Sequence, residues 1–273
     1  MLKQRVITAL ILAFVFVGAI LLADSRWVTI LFTLVLLAAI FELFALTTKP
    51  EQSLAIAVAT LLAFGFWVFS NTTGIQINFY LSFAGLLIWV SLGGFLLRYR
   101  FSGQWSLLTR WFHLILGCAA LWICVQALVF VHQNFDQGGW ILLYLLTLVW
   151  VADIGAYFSG RRFGRHKLAP GISPGKTWEG VAGGLACNLV WMLIVYRLSD
   201  GWGLALWQFI LVGLATSVIS VVGDLYESIL KREAGAKDSG KLLPGHGGVL
   251  DRIDGVIAAA PVFVSGLFAA GAV

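Results

Sequence analysis

Residues 140–159 read WILLYLLTLVWVADIGAYFS, an apolar run interrupted by one carboxylate, Asp153. A helix of about 18 or more apolar residues is long enough to cross the hydrocarbon core of a bilayer. The chain has 273 residues, of which 60% are hydrophobic and 11% are charged, and its mean hydropathy is +0.93. This composition indicates an integral membrane protein and excludes an ordinary soluble domain.

Similar apolar runs recur along the chain and predict about nine transmembrane helices. The runs cover residues 6–23, 27–46, 54–70, 79–97, 111–132, 140–159, 180–198, 204–223 and 252–270. Helices are expected because a backbone in lipid must satisfy its own hydrogen bonds, and the alternating pattern of a membrane barrel is absent. The sequence therefore predicts an all-α polytopic membrane protein: one membrane domain over 1–273, with an N-terminal helical part at 1–135 and a C-terminal part at 136–273.

The distribution of positive charge predicts the orientation. With nine spans, every Lys and Arg except Arg26 and Arg197 falls on the side that holds the N-terminus. Because cytoplasmic loops carry an excess of Lys and Arg, we expect the N-terminus in the cytoplasm, together with two long loops at 160–179 and 224–251. The net charge of +5 then reports orientation and attraction to anionic lipid, and no nucleic-acid partner is expected.

Glu42 and Asp153 lie within predicted spans, and Asp224 directly follows the end of another. A carboxylate in the hydrocarbon zone costs about 2.5–3.5 kcal/mol, so it usually faces a cavity, a partner or an ion. A structural ion pair or a helix cap is the alternative, and for Glu42 this structural interpretation is favoured because its sequence neighbours are apolar.

The densest polar segment is 228–254, SILKREAGAKDSGKLLPGHGGVLDRID. Asp251 and Asp254 are three apart at the start of the last predicted helix, which places both carboxylates on one face. The preceding Gly247 and Gly248 let the backbone approach a ligand closely, and a helix N-terminus favours phosphate oxygens. The alternative for Asp251 alone is a helix cap, and His246 is either structural or a general base.

The other loop reads GRRFGRHKLAPGISPGKTWE over residues 160–179. Its GKT ending is not a P-loop, because position 170, where the first glycine is required, is Pro170. Ser173, Lys176 and Thr177 still supply donors for phosphate; the alternative is a basic cluster that only anchors the loop. Two such loops at the cytoplasmic interface can hold Mg²⁺ and a polyphosphate beside a lipid head group, which indicates phosphoryl or nucleotidyl transfer.

The segment 228–254 also resembles the signature of the phosphatidate cytidylyltransferase (CDP-diacylglycerol synthase) family. The fixed positions of that signature are matched by Ser228, Lys231, Arg232, Lys237, Asp238, Pro244, His246, Gly247, Gly248, Asp251, Arg252 and Asp254. The segments 153–157 and 172–180 are similar to the family as well, whereas the first five spans match only in hydrophobic character.

This resemblance implies a bacterial inner-membrane enzyme that converts CTP and phosphatidic acid to CDP-diacylglycerol and pyrophosphate at the cytoplasmic side. It implies Mg²⁺ as cofactor, leaves open a second, monovalent ion, and implies a homodimer. The catalytic part would be 136–273, with Asp224, Asp251 and Asp254 as metal ligands. The expected catalytic residues are Asp224, Lys237, Asp238, His246, Asp251, Arg252 and Asp254. The expected substrate-binding residues are Asp153, Ser173, Lys176, Thr177, Glu179, Ser228, Lys231, Arg232, Gly247 and Gly248.

Three other classes of protein were weighed. A transporter using Asp153 and Glu42 would account for the acids in the spans but not for the polar loops. A CDP-alcohol phosphotransferase would need a motif that is absent, because Asp254-Gly255 is followed by Val-Ile-Ala-Ala. A purely structural membrane subunit would leave the clustered charges without a role.

Overall fold

A computed structural model describes residues 14–48, 52–99, 105–243, 245 and 247–273. Its helices are α1 (14–22), α2 (Ser25–Thr47), α3 (Gln52–Ser70), α4 (Ile75–Leu96), α5 (Leu107–Asn134), α6 (Gly138–Phe163), α7 (Trp178–Ser199), α8 (Leu206–Glu233) and α9 (Leu250–Ala269). A 3₁₀ turn at Asp200–Gly203 follows α7. Two short strands, β1 (Lys167–Ala169) and β2 (Ser173–Thr177), form an antiparallel hairpin between α6 and α7.

The prediction of an all-α polytopic membrane protein is confirmed. Among the described residues, seven helices are long and apolar enough to cross a membrane: α2, α4, α5, α6, α7 with its 3₁₀ turn, α8 and α9. The count of nine spans and the cytoplasmic N-terminus stay predictions, and residues 6–13 of the first expected span lie outside the described residues.

The bounds of both predicted loops were wrong. Helix α8 continues ten residues beyond the predicted span end, to Glu233, so the loop before α9 covers 234–249 rather than 224–251. The 160–179 segment begins with the last turn of α6, contains the hairpin, and ends in the first turn of α7. Hydropathy alone does not mark the end of α8, because charged residues interrupt the apolar run while Leu225, Ile229 and Leu230 stay buried and continue the helix.

Helices α6 and α7 cross closely because small residues face each other. A Cβ on Gly155 would come within 2.9 Å of the Cys187 Sγ, and one on Gly184 within 2.6 Å of the Ala152 carbonyl oxygen. Small residues at a helix crossing let two backbones approach in lipid. This crossing places Asp153 of α6 beside the start of α7.

Helices α8 and α9 also approach through a glycine. A Cβ on Gly223 would meet the Asp254 carbonyl oxygen and come within 3.0 Å of the Ala258 Cβ. On its other side, α9 lies against α6, where a Cβ on Gly255 would come within 2.9 Å of Val149 Cγ1. The site therefore forms where the C-terminal ends of α6 and α8 meet the N-terminal ends of α7 and α9.

Candidate active site

The β1–β2 hairpin is held against the C-terminal part of α8. Ile172, at the turn of the hairpin, is buried against Leu225 and Ile229 of α8. The Arg232 Nε donates to the Ile172 carbonyl oxygen at 3.4 Å. The hairpin of the first polar segment therefore packs against the last turns of α8, which belong to the second polar segment.

A cavity of about 450 Å³ lies between α6, α7, α8 and the hairpin. Its polar wall includes Asp153, Ser173, Lys176, Thr177 and Asp224, all of which the sequence predicted as site residues. The Lys176 ammonium forms an ion pair with the Asp224 carboxylate. The remaining wall is largely apolar, so the cavity combines a charged end with a hydrocarbon-like surface.

Two further carboxylates, from α6 and α9, interact electrostatically with this ion pair. Asp153 interacts electrostatically with Asp224 and Lys176, and Asp254 interacts with Asp224, Asp153 and Lys176. Like charges at close range repel, so a cluster with more carboxylates than cations attracts a positively charged ligand. The cluster can therefore bind a cation, or Lys176 can leave Asp224 and pair with an anion.

Asp251 has a different environment from Asp254. Its Oδ1 accepts from the Lys231 Nζ at 2.7 Å, and its Oδ2 accepts from the Ser239 N–H and the Gly248 N–H, both at 2.8 Å. The Ser239 hydroxyl donates to the same oxygen at 3.0 Å. Asp251 thus fastens the loop before α9 to the end of α8.

Lys231 is neutralised within the protein. Its ammonium pairs with both Asp251 and Glu227, and Glu227 is only 3% exposed. Lys231 was expected to bind substrate phosphate, and here two carboxylates hold it instead. Glu227 was missed by the sequence analysis, although the Glu–Lys spacing of four residues on a helix could have indicated it.

Several other predicted residues organise the site. The Ser228 hydroxyl lies 3.4 Å from Asp224 Oδ1. Thr177 caps α7, its hydroxyl accepting from the Gly180 N–H at 3.1 Å. Glu179 accepts from the backbone N–H of Arg165 at 3.1 Å and lies 2.6 Å from the His166 Nδ1, so it fixes the entry to the hairpin.

The remaining predicted residues are exposed or belong to the turn before α9. Lys237 and Asp238 are exposed in the loop at 234–249, and Arg252 is exposed in the first turn of α9. Gly247 has a φ of +82°, which favours glycine, and its carbonyl accepts from the Leu243 N–H at 3.0 Å. His246 and Pro244 lie outside the described residues.

The metal prediction was tested against the donors present. Across the described parts of the chain, no three His, Cys, Asp or Glu side chains are grouped closely enough to hold a metal ion. Mg²⁺, however, typically takes one or two protein carboxylates, with water and substrate phosphate completing its shell. Asp224 and Asp254 supply two carboxylates that interact electrostatically with each other, and Asp224 would have to release Lys176 to bind a metal ion. The two oxygens of Asp251 accept four hydrogen bonds from Lys231, Ser239 and Gly248, and the metal role of all three acids stays a prediction.

These features define a polytopic membrane protein with a cation- and phosphate-compatible site at one end of its helix bundle. The model of the cytidylyltransferase family matches residues 3–269. The phosphatidate cytidylyltransferase of Pseudomonas aeruginosa is 41% identical over 272 residues, covering 99% of this chain and 98% of that protein. Those of Haemophilus influenzae and Staphylococcus saprophyticus are 54% identical over 137 residues and 42% identical over 134 residues, about half of each chain. The chain belongs to the cytidylyltransferase family.

Proposed function

We propose that this enzyme transfers the cytidylyl group of CTP to phosphatidic acid, giving CDP-diacylglycerol and pyrophosphate. Family membership supports the reaction, and one structural observation connects the reaction to particular residues of the site. The Lys176–Asp224 pair and Asp153 line the same cavity, whose remaining wall is largely apolar. A lipid phosphate needs both a charged contact and an apolar surface, and this cavity offers the two together.

The chemistry requires no protein nucleophile. A phosphate oxygen of phosphatidic acid attacks the α-phosphorus of CTP, a new P–O bond forms, and the bond to the β-phosphate breaks to release pyrophosphate. The protein has to align the two phosphates and stabilise the charge that accumulates on the oxygens. Lys176 is placed to exchange Asp224 for a substrate phosphate, with Ser173 beside it in the cavity wall.

Asp224 and Asp254 would hold Mg²⁺. When bound, this ion would supply positive charge that neutralises the triphosphate oxygens and favours departure of pyrophosphate. A second, monovalent ion is part of the same hypothesis.

We also propose that the site faces the cytoplasm of a bacterial cell, in the inner membrane. The asymmetry of Lys and Arg supports this orientation, and the chemistry requires it, since CTP is soluble and phosphatidic acid stays in the bilayer. A homodimer is proposed on the family resemblance, and cross-linking of the protein in native membranes tests it.

The test of the reaction is incorporation of radiolabelled CTP into chloroform-soluble lipid by the purified protein in mixed micelles. We expect labelled CDP-diacylglycerol that depends on both phosphatidic acid and Mg²⁺, with unlabelled UTP competing poorly. Labelled lipid formed equally well from diacylglycerol would instead indicate transfer of a different group. No label in lipid from a folded preparation would refute the proposed function.

A further inference from the structure

Glu42 of α2 is buried at the N-terminus of α9, more than two hundred residues away in sequence. The side chain is 2% exposed. Its Oε1 accepts from the Val249 N–H at 3.0 Å, and its Oε2 accepts from the Leu250 N–H at 2.9 Å. The first N–H groups of a helix have no partner within the helix, and Val249, the N-cap residue, supplies no side-chain cap. Glu42 therefore caps α9 from a different helix.

The Ser239 hydroxyl connects Glu42 to Asp251. Its Oγ lies 3.0 Å from Glu42 Oε2 and 3.0 Å from Asp251 Oδ2, so the one hydroxyl proton is shared between these two acceptors. The Ser239 N–H fixes the same Asp251 oxygen at 2.8 Å. Glu42 is thereby connected to Asp251 through one intervening residue and two hydrogen bonds, and α9 carries a second acid, Asp254, one turn further on.

Two glycines make room for the Glu42 carboxylate. A Cβ on Gly240 or on Gly248 would come within 2.7 Å of Glu42 Cδ. The loop thus closes around this carboxylate from two sides, with shape and hydrogen bonds both matched to it. An apolar residue at position 42 would leave the Val249 and Leu250 N–H groups buried without an acceptor, which is costly.

We propose that Glu42 is a positioning residue for the cytidylyl transfer: it sets where α9 begins and so orients Asp251 and Asp254 toward α8. This inference rests on the proposed function. Glu42 touches neither the cavity nor the reacting phosphates, so it acts through Ser239 and the first turn of α9.

The test compares Glu42→Gln, Ser239→Ala and the double variant, as full-length protein in detergent. The glutamine side chain of the first variant keeps the volume of glutamate, but its NH₂ group cannot accept from a backbone N–H. We expect kcat for CDP-diacylglycerol formation to fall about tenfold in E42Q, equivalent to about 1.4 kcal/mol, while KM for CTP stays within about twofold. The loss of kcat should be smaller in S239A than in E42Q. The double variant should be no slower than E42Q, because both substitutions break the same hydrogen-bonded connection between Glu42 and Asp251.

A matched control separates positioning from loss of stability. Gln126 of α5 is 2% exposed and donates to Asn78 at 2.8 Å. Asn78 lies 18 residues before Leu96 on α4, and Leu96 packs against the cluster around Ile172 of the hairpin. The rise of an α-helix therefore places Asn78, and with it Gln126, about 27 Å from the site along the axis of α4. We expect Q126M to lower the thermal midpoint without changing kcat.

Three results would overturn the inference. The first is E42Q with wild-type kcat. The second is additive losses in the double variant, and the third is loss of activity in Q126M in proportion to its loss of stability. If E42Q does not fold, S239A decides alone, and wild-type kinetics there would refute the connection. Absence of turnover in the wild type would instead refute the proposed function and leave the capping geometry standing.

Discussion

Replacing Lys176 by alanine is the most direct perturbation of the candidate site. The ammonium is the one cation that pairs with Asp224 in the described structure, and it also faces Asp153 and Asp254. The Lys176 and Asp224 side chains are 24% and 27% exposed, so water screens the pair only in part. If Lys176 transfers to a substrate phosphate, K176A removes one charge-assisted contact.

The magnitude follows from that contact. A hydrogen bond to a charged group contributes about 1.5–3 kcal/mol, which corresponds to a loss of about 10- to 150-fold in kcat/KM. K176A should also lower the Mg²⁺ concentration that the reaction requires. Without the ammonium competing for Asp224, a divalent cation meets an uncompensated carboxylate cluster, and the Mg²⁺ concentration for half-maximal rate should fall.

The assay is labelled CTP incorporation into lipid, with CTP and Mg²⁺ titrated separately at a fixed mole fraction of phosphatidic acid. Lys167 of the same hairpin is the matched control, because its Nζ donates to the Pro174 carbonyl oxygen at 2.7 Å and its side chain is exposed. K167A should stay within about twofold of wild type, a change of only about 0.4 kcal/mol. Equal losses in K176A and K167A, or an increased Mg²⁺ requirement in K176A, would refute this account of the site.

Three further substitutions test neighbouring parts of the site. Asp251→Asn should abolish CDP-diacylglycerol formation without preventing membrane insertion, since an amide cannot accept from all the donors around Asp251; most of the wild-type turnover remaining in detergent would remove Asp251 from the site. Lys237→Ala should raise KM for CTP while leaving the thermal midpoint unchanged, because Lys237 is exposed; a CTP titration with unaltered KM and kcat would count against it. Gly223→Ala should force α9 away from α8 at Asp254 and cost about 1–3 kcal/mol of stability together with activity; a wild-type thermal midpoint would contradict the close crossing.

Hydropathy predicted the helices well because lipid leaves the backbone few alternatives. The run at 111–132 lies inside α5 (Leu107–Asn134), and the run at 79–97 nearly coincides with α4 (Ile75–Leu96). The last ten residues of α8 were missed because charged residues interrupt the apolar run there, although Leu225, Ile229 and Leu230 are buried and continue the helix. The strands at Lys167–Ala169 and Ser173–Thr177 were missed as well, since neither contains an alternating apolar pattern.

The site was predicted in composition more than in arrangement. Asp153 and Asp224 stood out because carboxylates in or beside apolar runs need partners, and Lys176 because the 160–179 loop offers donors for phosphate; the structure brings all three to one cavity. Sequence could not separate Asp251 from Asp254, because the spacing of three residues gives a shared face but not a partner. Glu42 was expected to be structural, yet its partners could not be found from a sequence in which they lie about two hundred residues away.

The contacts of residues 228–254 indicate that this polar segment has two separate roles. Most of its residues hold the loop before α9 in place, whereas Asp254 belongs to the acids that face Lys176. Lys231 and Asp251 neutralise one another with Glu227, and Ser239 and Gly248 close around Glu42. These residues use their charges and donors to hold the loop at 234–249 between the end of α8 and the start of α9. The carboxylates left facing Lys176 come from the helices α6, α8 and α9, whose crossings are fixed by glycines. Helices hold side chains more rigidly than loops do, so alignment of two phosphates is best served by acids on helices and a loop that locks the last helix in place.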